Sequence, residues 1–229
     1  MKTCAFYPWG MATVDYDSAD PGGSGTRRYR SPLRRMQAAQ TRAVVLEAAT
    51  RLFAEHGWVG TGMRDVAQAS AVSVETVYTT FGSKAHLLKA ALEVAIVGDD
   101  AQVPLADRPV YMAIGTGRTT GDRIETGARM IARINERIYR LAVAIRQGAT
   151  ADATLAAVAA DLEGQRRRSV ADVAHLITGH HADAGQVDEL WVQTGDQVYA
   201  LLVDECGWSR DRYESWLIDR IEEILDRPV

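Results

Sequence analysis

Residues 62–81 read Gly62-Met-Arg-Asp-Val-Ala-Gln-Ala-Ser-Ala-Val-Ser-Val-Glu-Thr-Val-Tyr-Thr-Thr-Phe81. The spacing predicts two helices of about two turns each, roughly Met63–Ala69 and Val74–Thr80, joined by a turn of a few residues. Helices this short are not stable alone and need a third element to pack on. The stretch before them supplies it. Val44, Val45, Ala48, Ala49, Leu52 and Phe53 recur at helical spacing between about Thr41 and His56, and Gly57 is a natural stop. Val66, Ala67, Val72, Val77 and Phe81 are spaced to close one small core with that helix. Asp65 suits the first turn of its helix through the macrodipole, and Ser73 stands where a hydroxyl can cap the second. The unit predicted is a helix-turn-helix, whose second helix is narrow enough for a DNA major groove.

Outward from this unit the helical reading continues. Ser83 is a good cap for a helix through Leu87, Leu88, Ala91, Leu92 and Ala95 to about Val97. Gly98–Pro109, with two prolines and three aspartates, reads as a loop. Further helices are expected near Val110–Ile114, Asp122–Gln147, Asp152–Thr178, Val187–Cys206 and Asp211–Leu225. No segment alternates as a strand would, so the expected class is all-α, with about nine helices and no fixed-period repeat. Residues 1–25 lack periodic apolar positions, and Pro21–Gly25 reads as a flexible linker ahead of a basic arm at Arg27, Arg28, Arg30, Arg34 and Arg35. This tail is expected to be disordered, or to precede a real start at Met36. The expected division is a flexible basic-arm tail at 1–35, a helix-turn-helix domain at 36–98 and a helical body at 99–229.

The 229 residues carry a formal charge of −4 and a pI of about 5.8, which argues against a nucleic-acid coat protein. The distribution is more informative than the sum. Residues 26–91 hold ten Lys/Arg against four acids, a net of +6, and residues 92–229 hold fifteen arginines against 23 acids, a net of −8. A basic block joined to an acidic one suggests a nucleic-acid-binding module on a body with another task. No apolar run is long enough for a membrane helix, and Asp15 and Asp17 stand where a signal peptide would need its apolar core. Cys4 and Cys206 are far apart and make no paired spacing, which fits a reduced, cytoplasmic chain without a zinc site.

The stretch from Thr41 to Leu88 resembles the DNA-binding domain of the tetracycline-repressor-like (TetR) family of transcriptional regulators. The residues that carry the resemblance are Ala48, Leu52, Phe53, Gly57, Thr61, Arg64, Asp65, Val66, Ala67, Val72, Ser73, Tyr78, Phe81, Ser83, Lys84, Leu87 and Leu88. The chain's end, Val198–Leu202 and then Gly207-Trp208-Ser209 with Tyr213, Trp216 and Leu217, is similar to the tail of many such regulators. The central body resembles the family only in helical layout. Three departures stand out. Ala71 replaces the usual turn glycine, where a positive φ would cost about 1 kcal/mol or more. Gly62 replaces a stronger cap, and Ala85-His86 replaces an acidic pair.

The resemblance implies contact roles. Lys84 and the start of its helix suit a phosphate, Tyr78 the seam with the DNA backbone, and Thr61 a hydroxyl near the first reading-head helix. Ser73, Val74, Glu75, Thr76 and Thr79 are candidates for base edges, with Glu75 able to accept from cytosine and Thr76 able to touch a thymine methyl. Arg34 and Arg35 could reach a minor groove or phosphates. The plainer alternatives are a core role for Tyr78, a solvated helix residue for Glu75 and a disordered solubilising tail for the arginine arm.

A reader of two-fold operators needs a dimer. The last two helices carry apolar stripes that could form it, through Leu201, Leu202, Trp208, Tyr213, Trp216, Leu217 and Ile221, or could serve as intrachain core. Met112, Met130, Ile134, Leu141, His175 and Trp191 could line an apolar effector pocket. Arg166-Arg167-Arg168 reads as a solvated face, with an anionic partner conceivable. The expected function is a cytoplasmic, homodimeric repressor, released from a near-palindromic double-stranded DNA operator by a small molecule. It needs no cofactor, metal or membrane and is not an enzyme. An architectural or orphan DNA-binding dimer without a ligand is the alternative. A remote one is a metal enzyme using His175, His180 and His181, which no HExxH-like frame, phosphate loop or Gly-x-Ser-x-Gly motif supports.

Overall fold

The computed structural model describes residues 32–99 and 103–227. The linker at Pro21–Gly25 and the arm residues Arg27, Arg28 and Arg30 lie outside the described residues. Among the described residues there are ten α-helices, one 3-10 turn (Leu105–Asp107) and one π-helical segment (Ala200–Glu205), and no strand. The helices are α1 Pro32–His56, α2 Met63–Ala69, α3 Val74–Phe81, α4 Lys84–Val97, α5 Pro109–Gly115, α6 Thr120–Ala149, α7 Ala153–Thr178, α8 Ala184–Gln193, α9 Asp196–Tyr199 and α10 Arg210–Leu225. The class is all-α, as the periodicity indicates.

Helix α1 starts at Pro32, well before the Thr41 expected from its apolar stripe. Residues 34–40 are all exposed, so no buried pattern marks this stretch. Proline at the first helical position costs nothing, because that N–H has no partner in any helix. Arg34 and Arg35 therefore sit on the exposed opening turns of α1, and the expected tail boundary at residue 35 falls inside a helix.

In the head, Val45, Ala49 and Phe53 of α1 meet Val66 and Ala67 of α2 and Val77 of α3 in a core with almost no exposure. Helix α4 packs on α1 toward the head and on α6 toward the body. Its burial all round follows from that double duty: Ala85, Leu87, Leu88, Ala91, Leu92 and Ile96 are all inside.

The body is built on α6, thirty residues long. Thr119 accepts from the Asp122 N–H at 3.0 Å while Asp122 accepts from the Thr119 N–H at 3.0 Å, a reciprocal cap that fixes its start. Helices α4, α5, α7, α9 and α10 pack around it. Helix α7 runs antiparallel to α6: Gly127 lies beside Val173 and Ile177, and Gly148 beside Leu155.

The single helix expected over Val187–Cys206 is broken. Helix α8 ends at Gln193, Gly195 is extended, and α9 runs into the π-helical segment, where the Cys206 N–H reaches Leu201 O at 2.9 Å. Long-range contacts hold the break. Asn135 of α6 donates to Thr194 O at 3.0 Å, and Arg146 of α6 pairs with buried Asp196 at 2.8 Å.

Helix α10 turns Tyr213, Leu217 and Ile221 into the core of its own protomer, which removes these three from the expected dimer surface. Of the remaining expected interface residues, Leu201 is 51% exposed and Leu202, Trp208 and Trp216 are half-buried. Among the described residues, no helix is long and apolar enough to cross a membrane.

Candidate functional site

The reading head is assembled by local hydrogen bonds. The Gly62 N–H donates to Asp65 Oδ2 at 2.8 Å, so the acid holds the start of α2 although Gly62 itself has no capping side chain. At the other end, Ser70 Oγ donates to Val66 O at 2.7 Å, and the Val72 N–H reaches back to Ala67 O at 3.0 Å. The turn between them places Ala71 at φ 55, in the left-handed region that its Cβ disfavours. Ser73 then caps α3 by accepting from the Thr76 N–H at 3.1 Å, and its hydroxyl also pairs with Thr76 Oγ1 at 3.0 Å.

With Val77 and Phe81 buried, α3 has one possible outward face. Glu75, Tyr78 and Thr79 share it at helical spacing, with Ser73 exposed at its start and Tyr78 50% exposed. Val74 and Thr76 are half-buried at its edge. Hydrogen bonds from its own backbone N–H and from Ser73 hold the Glu75 carboxyl below the usual carboxylate range, so it faces outward as an anion. The face offers hydroxyls, a phenol and one carboxylate, groups that pair with base edges and phosphates.

Two residues implied as contacts are placed differently. Thr61 is 1% exposed and its hydroxyl donates to Leu52 O at 3.0 Å, tying the end of α1 to the approach of α2. It is a structural clamp, and no face of it is open to DNA. The Lys84 ammonium turns inward: it donates to Trp58 O and lies 4.2 Å above the Trp58 ring. Desolvation lowers its pKa, with Asp65 and Asp152 opposing that shift. Lys84 therefore closes the 57–62 loop, and a phosphate there would have to share it.

Trp58 is the residue the sequence reading missed. It stacks on Phe53 at 6.3 Å and reaches the body at Gly148, where an added Cβ would stand 2.7 Å from the Trp58 ring and 2.3 Å from Leu155. Head and body thus meet through a glycine that leaves no room for a side chain. No local signal marks that contact, because its partners are some ninety residues apart in sequence.

Deeper in the body, a cavity of about 300 Å³ lies between α4, α5, α6, α7, α8 and α10. Of the six residues expected to line a pocket, the structure brings Met130, Ile134 and Trp191 together on it. The other three are elsewhere. Met112 is 60% exposed, Leu141 is fully buried in the packing of α6, and His175 stacks on His181 at 4.5 Å away from the cavity. Unanticipated lining residues are Tyr111, Asn135, Arg146, Glu163, Arg166, Ser169 and Asp196. Burial pushes the Tyr111 phenol up to about 12, so it is neutral here. The arginine triplet does not act as one face: Arg166 turns inward to Glu163 and Trp191 O, Arg167 pairs with Asp188, and Arg168 is exposed. Among the described residues, no group of three or more His, Cys, Asp or Glu could hold a metal ion.

Comparison with known proteins adds family to geometry. Residues 45–91 match the model of the bacterial regulatory proteins of the tetR family. An HTH-type transcriptional repressor of Mycobacterium tuberculosis and an HTH-type transcriptional regulator of Mycobacterium bovis are each 41% identical over 68 residues, 30% of this chain. The match spans only 35% of the length of those curated relatives. A tetR-family regulator from a Rhodococcus species shares the fold with a TM-score of 0.58 at 20% identity, over 82% of this chain and 99% of that one. The transcriptional regulator FadR of Bacillus subtilis, solved with stearoyl-CoA, gives a TM-score of 0.58 at 12% identity, over 78% of this chain and 96% of that one. The reading head thus matches the tetR family of bacterial regulatory proteins in sequence over residues 45–91, and the described residues share the fold of solved regulators.

Proposed function

We propose that this chain is a sequence-specific DNA-binding transcriptional regulator, a homodimeric repressor released from a near-palindromic operator when a small molecule fills the body cavity. The observation that carries the reading is the outward face of α3. Buried Val77 and Phe81 fix the helix, Ser73 caps it, and Glu75, Tyr78 and Thr79 stand exposed together on its outward face, Tyr78 half in solvent. Arg34 and Arg35, on the free opening of α1, add positive charge to the same domain.

Ligand response is supported by a continuous path. Helix α6 lines the cavity from Gly127 to Arg146, and its next residues, Gln147 and Gly148, touch Gly57 and Trp58 of the head. A compound releases DNA only if it binds one arrangement of the heads better than the other. The Bacillus subtilis neighbour, solved with stearoyl-CoA, lends this reading the precedent of a ligand held by a similar fold. Dimerisation draws on what α10 leaves outside, Leu201 with Leu202, Trp208 and Trp216. Selection of bound duplexes from a random pool is the test. An enriched near-palindrome whose binding falls in Tyr78→Ala is expected; enrichment of no sequence, or a Tyr78→Ala protein with unchanged affinity and salt slope, refutes the reading.

A further inference from the structure

The cavity joins three features that together restrict what it can hold. Its walls are mostly aliphatic, with Met130, Ile134, Val170, Val173 and Ile177 along the antiparallel α6–α7 pair. Its charged residues are already neutralised. Arg146 pairs with Asp196 at 2.8 Å and Arg166 with Glu163 at 3.1 Å, while the Trp191 indole N–H donates to Glu163 at 3.2 Å. In the aliphatic stretch of α7 stands Ser169, 6% exposed, lining the cavity, its Oγ without a hydrogen-bond partner. A helical serine commonly returns its hydroxyl to the carbonyl one turn earlier; this one does not. A buried hydroxyl with no partner has lost its hydration without replacement, so a ligand group that meets it is favoured.

We propose that the cavity selects an uncharged, largely apolar compound carrying a hydroxyl or carbonyl group that hydrogen-bonds to Ser169 Oγ. The proposal rests on the cavity being the effector site. A carboxylate ligand would have to take Arg146 from Asp196 or Arg166 from Glu163, leaving a buried or half-buried acid unpaired. An ammonium ligand would have to displace an arginine to reach either acid. A neutral compound disturbs neither pair, and Ser169 offers it a hydroxyl whose hydrogen-bonding capacity is unused.

The test uses 1-decanol, decanoate and decylammonium, three probes with one chain length and three heads, titrated into the full chain without DNA by calorimetry near neutral pH. The alcohol is expected to bind at least about tenfold more tightly than either ion, the ratio set by one broken ion pair or more. Ser169→Ala is expected to weaken the alcohol about fivefold and leave the ions unchanged. The same substitution raises the melting temperature of the ligand-free protein, which a hydroxyl serving only the fold would not do. Ser169→Thr, which keeps the hydroxyl, retains alcohol binding. The proposal is overturned if either ion binds as tightly as the alcohol, if Ser169→Ala binds the alcohol as the parent does, or if none of the three probes binds. Because DNA is absent, such a failure leaves the DNA-binding reading standing, and failure to bind DNA would leave this ligand class standing.

Discussion

Ala71 shows how far a single residue can be read in advance. Its place in the turn implies a left-handed backbone, and its φ is 55. Ala71→Gly relieves the Cβ clash and loses some unfolded-state restriction in exchange, so a net gain of about 0.5–1 kcal/mol is expected in urea denaturation. A loss of stability would contradict the strain. Thr61 runs the other way. Its type and position suggested a DNA contact, and only the fold shows its hydroxyl spent on Leu52 O. Thr61→Val is expected to cost about 1–2 kcal/mol of stability while leaving the salt slope of DNA binding unchanged, since no phosphate contact is removed. Tyr213 gives a pH prediction. Burial pushes its phenol up to about 12, with the Asn135 amide donating to its oxygen and opposing the shift. A raised phenol pKa means stability that is whole below about pH 10, falls as pH rises from 10 to 12, and levels beyond. The loss is on the order of 2–3 kcal/mol. Tyr213→Phe should flatten the pH slope of the denaturation midpoint over that window.

At the scale of elements, legibility follows the range of the determining contacts. Helix α2 is observed where it was expected and α3 runs one residue further, because Asp65, Ser73 and the inward spacing of Val66, Val77 and Phe81 are all local. The opening of α1 was hidden because its exposed residues carry no apolar rhythm. The break between α8 and α9 was hidden for another reason: Asn135 and Arg146 impose it from α6, some fifty to sixty residues away. The cavity is equally non-local. Its apolar lining could be half guessed from helical stripes, whereas the Arg146–Asp196 pair and the orphan hydroxyl of Ser169 required the packing of α6 on α7. The head–body joint invites a direct test. At Gly148 an added Cβ would stand 2.3 Å from Leu155 and 2.7 Å from Trp58. Gly148→Ala is expected to cost about 1–3 kcal/mol of stability through overpacking. By displacing Trp58 it should also weaken DNA binding in the fraction that remains folded. Unaltered stability would show that the joint is looser than its geometry implies.

For the whole molecule, the net charge of −4 is the sum of −2 over residues 1–25, a basic head of +6 and an acidic body of −8. Helix α10 exposes Asp211, Asp219, Glu222 and Glu223 against one exposed arginine, Arg212, a net-acidic surface that DNA phosphates would repel. On the proposed reading DNA meets the head alone, and a two-fold operator calls for two heads held by the bodies. Leu201→Glu, at the exposed end of the expected interface, should shift sedimentation toward monomer and cut operator affinity; a dimer undisturbed by it would place the interface elsewhere. The most direct measurement of the central claim is fluorescence anisotropy with a selected near-palindromic duplex and a scrambled one, over a salt series. The selected duplex should bind at least about 10³-fold more tightly than the scrambled one, with log affinity falling linearly with log salt, and Tyr78→Ala should lose most of that preference. Equal binding of the two duplexes by the intact chain would contradict the account.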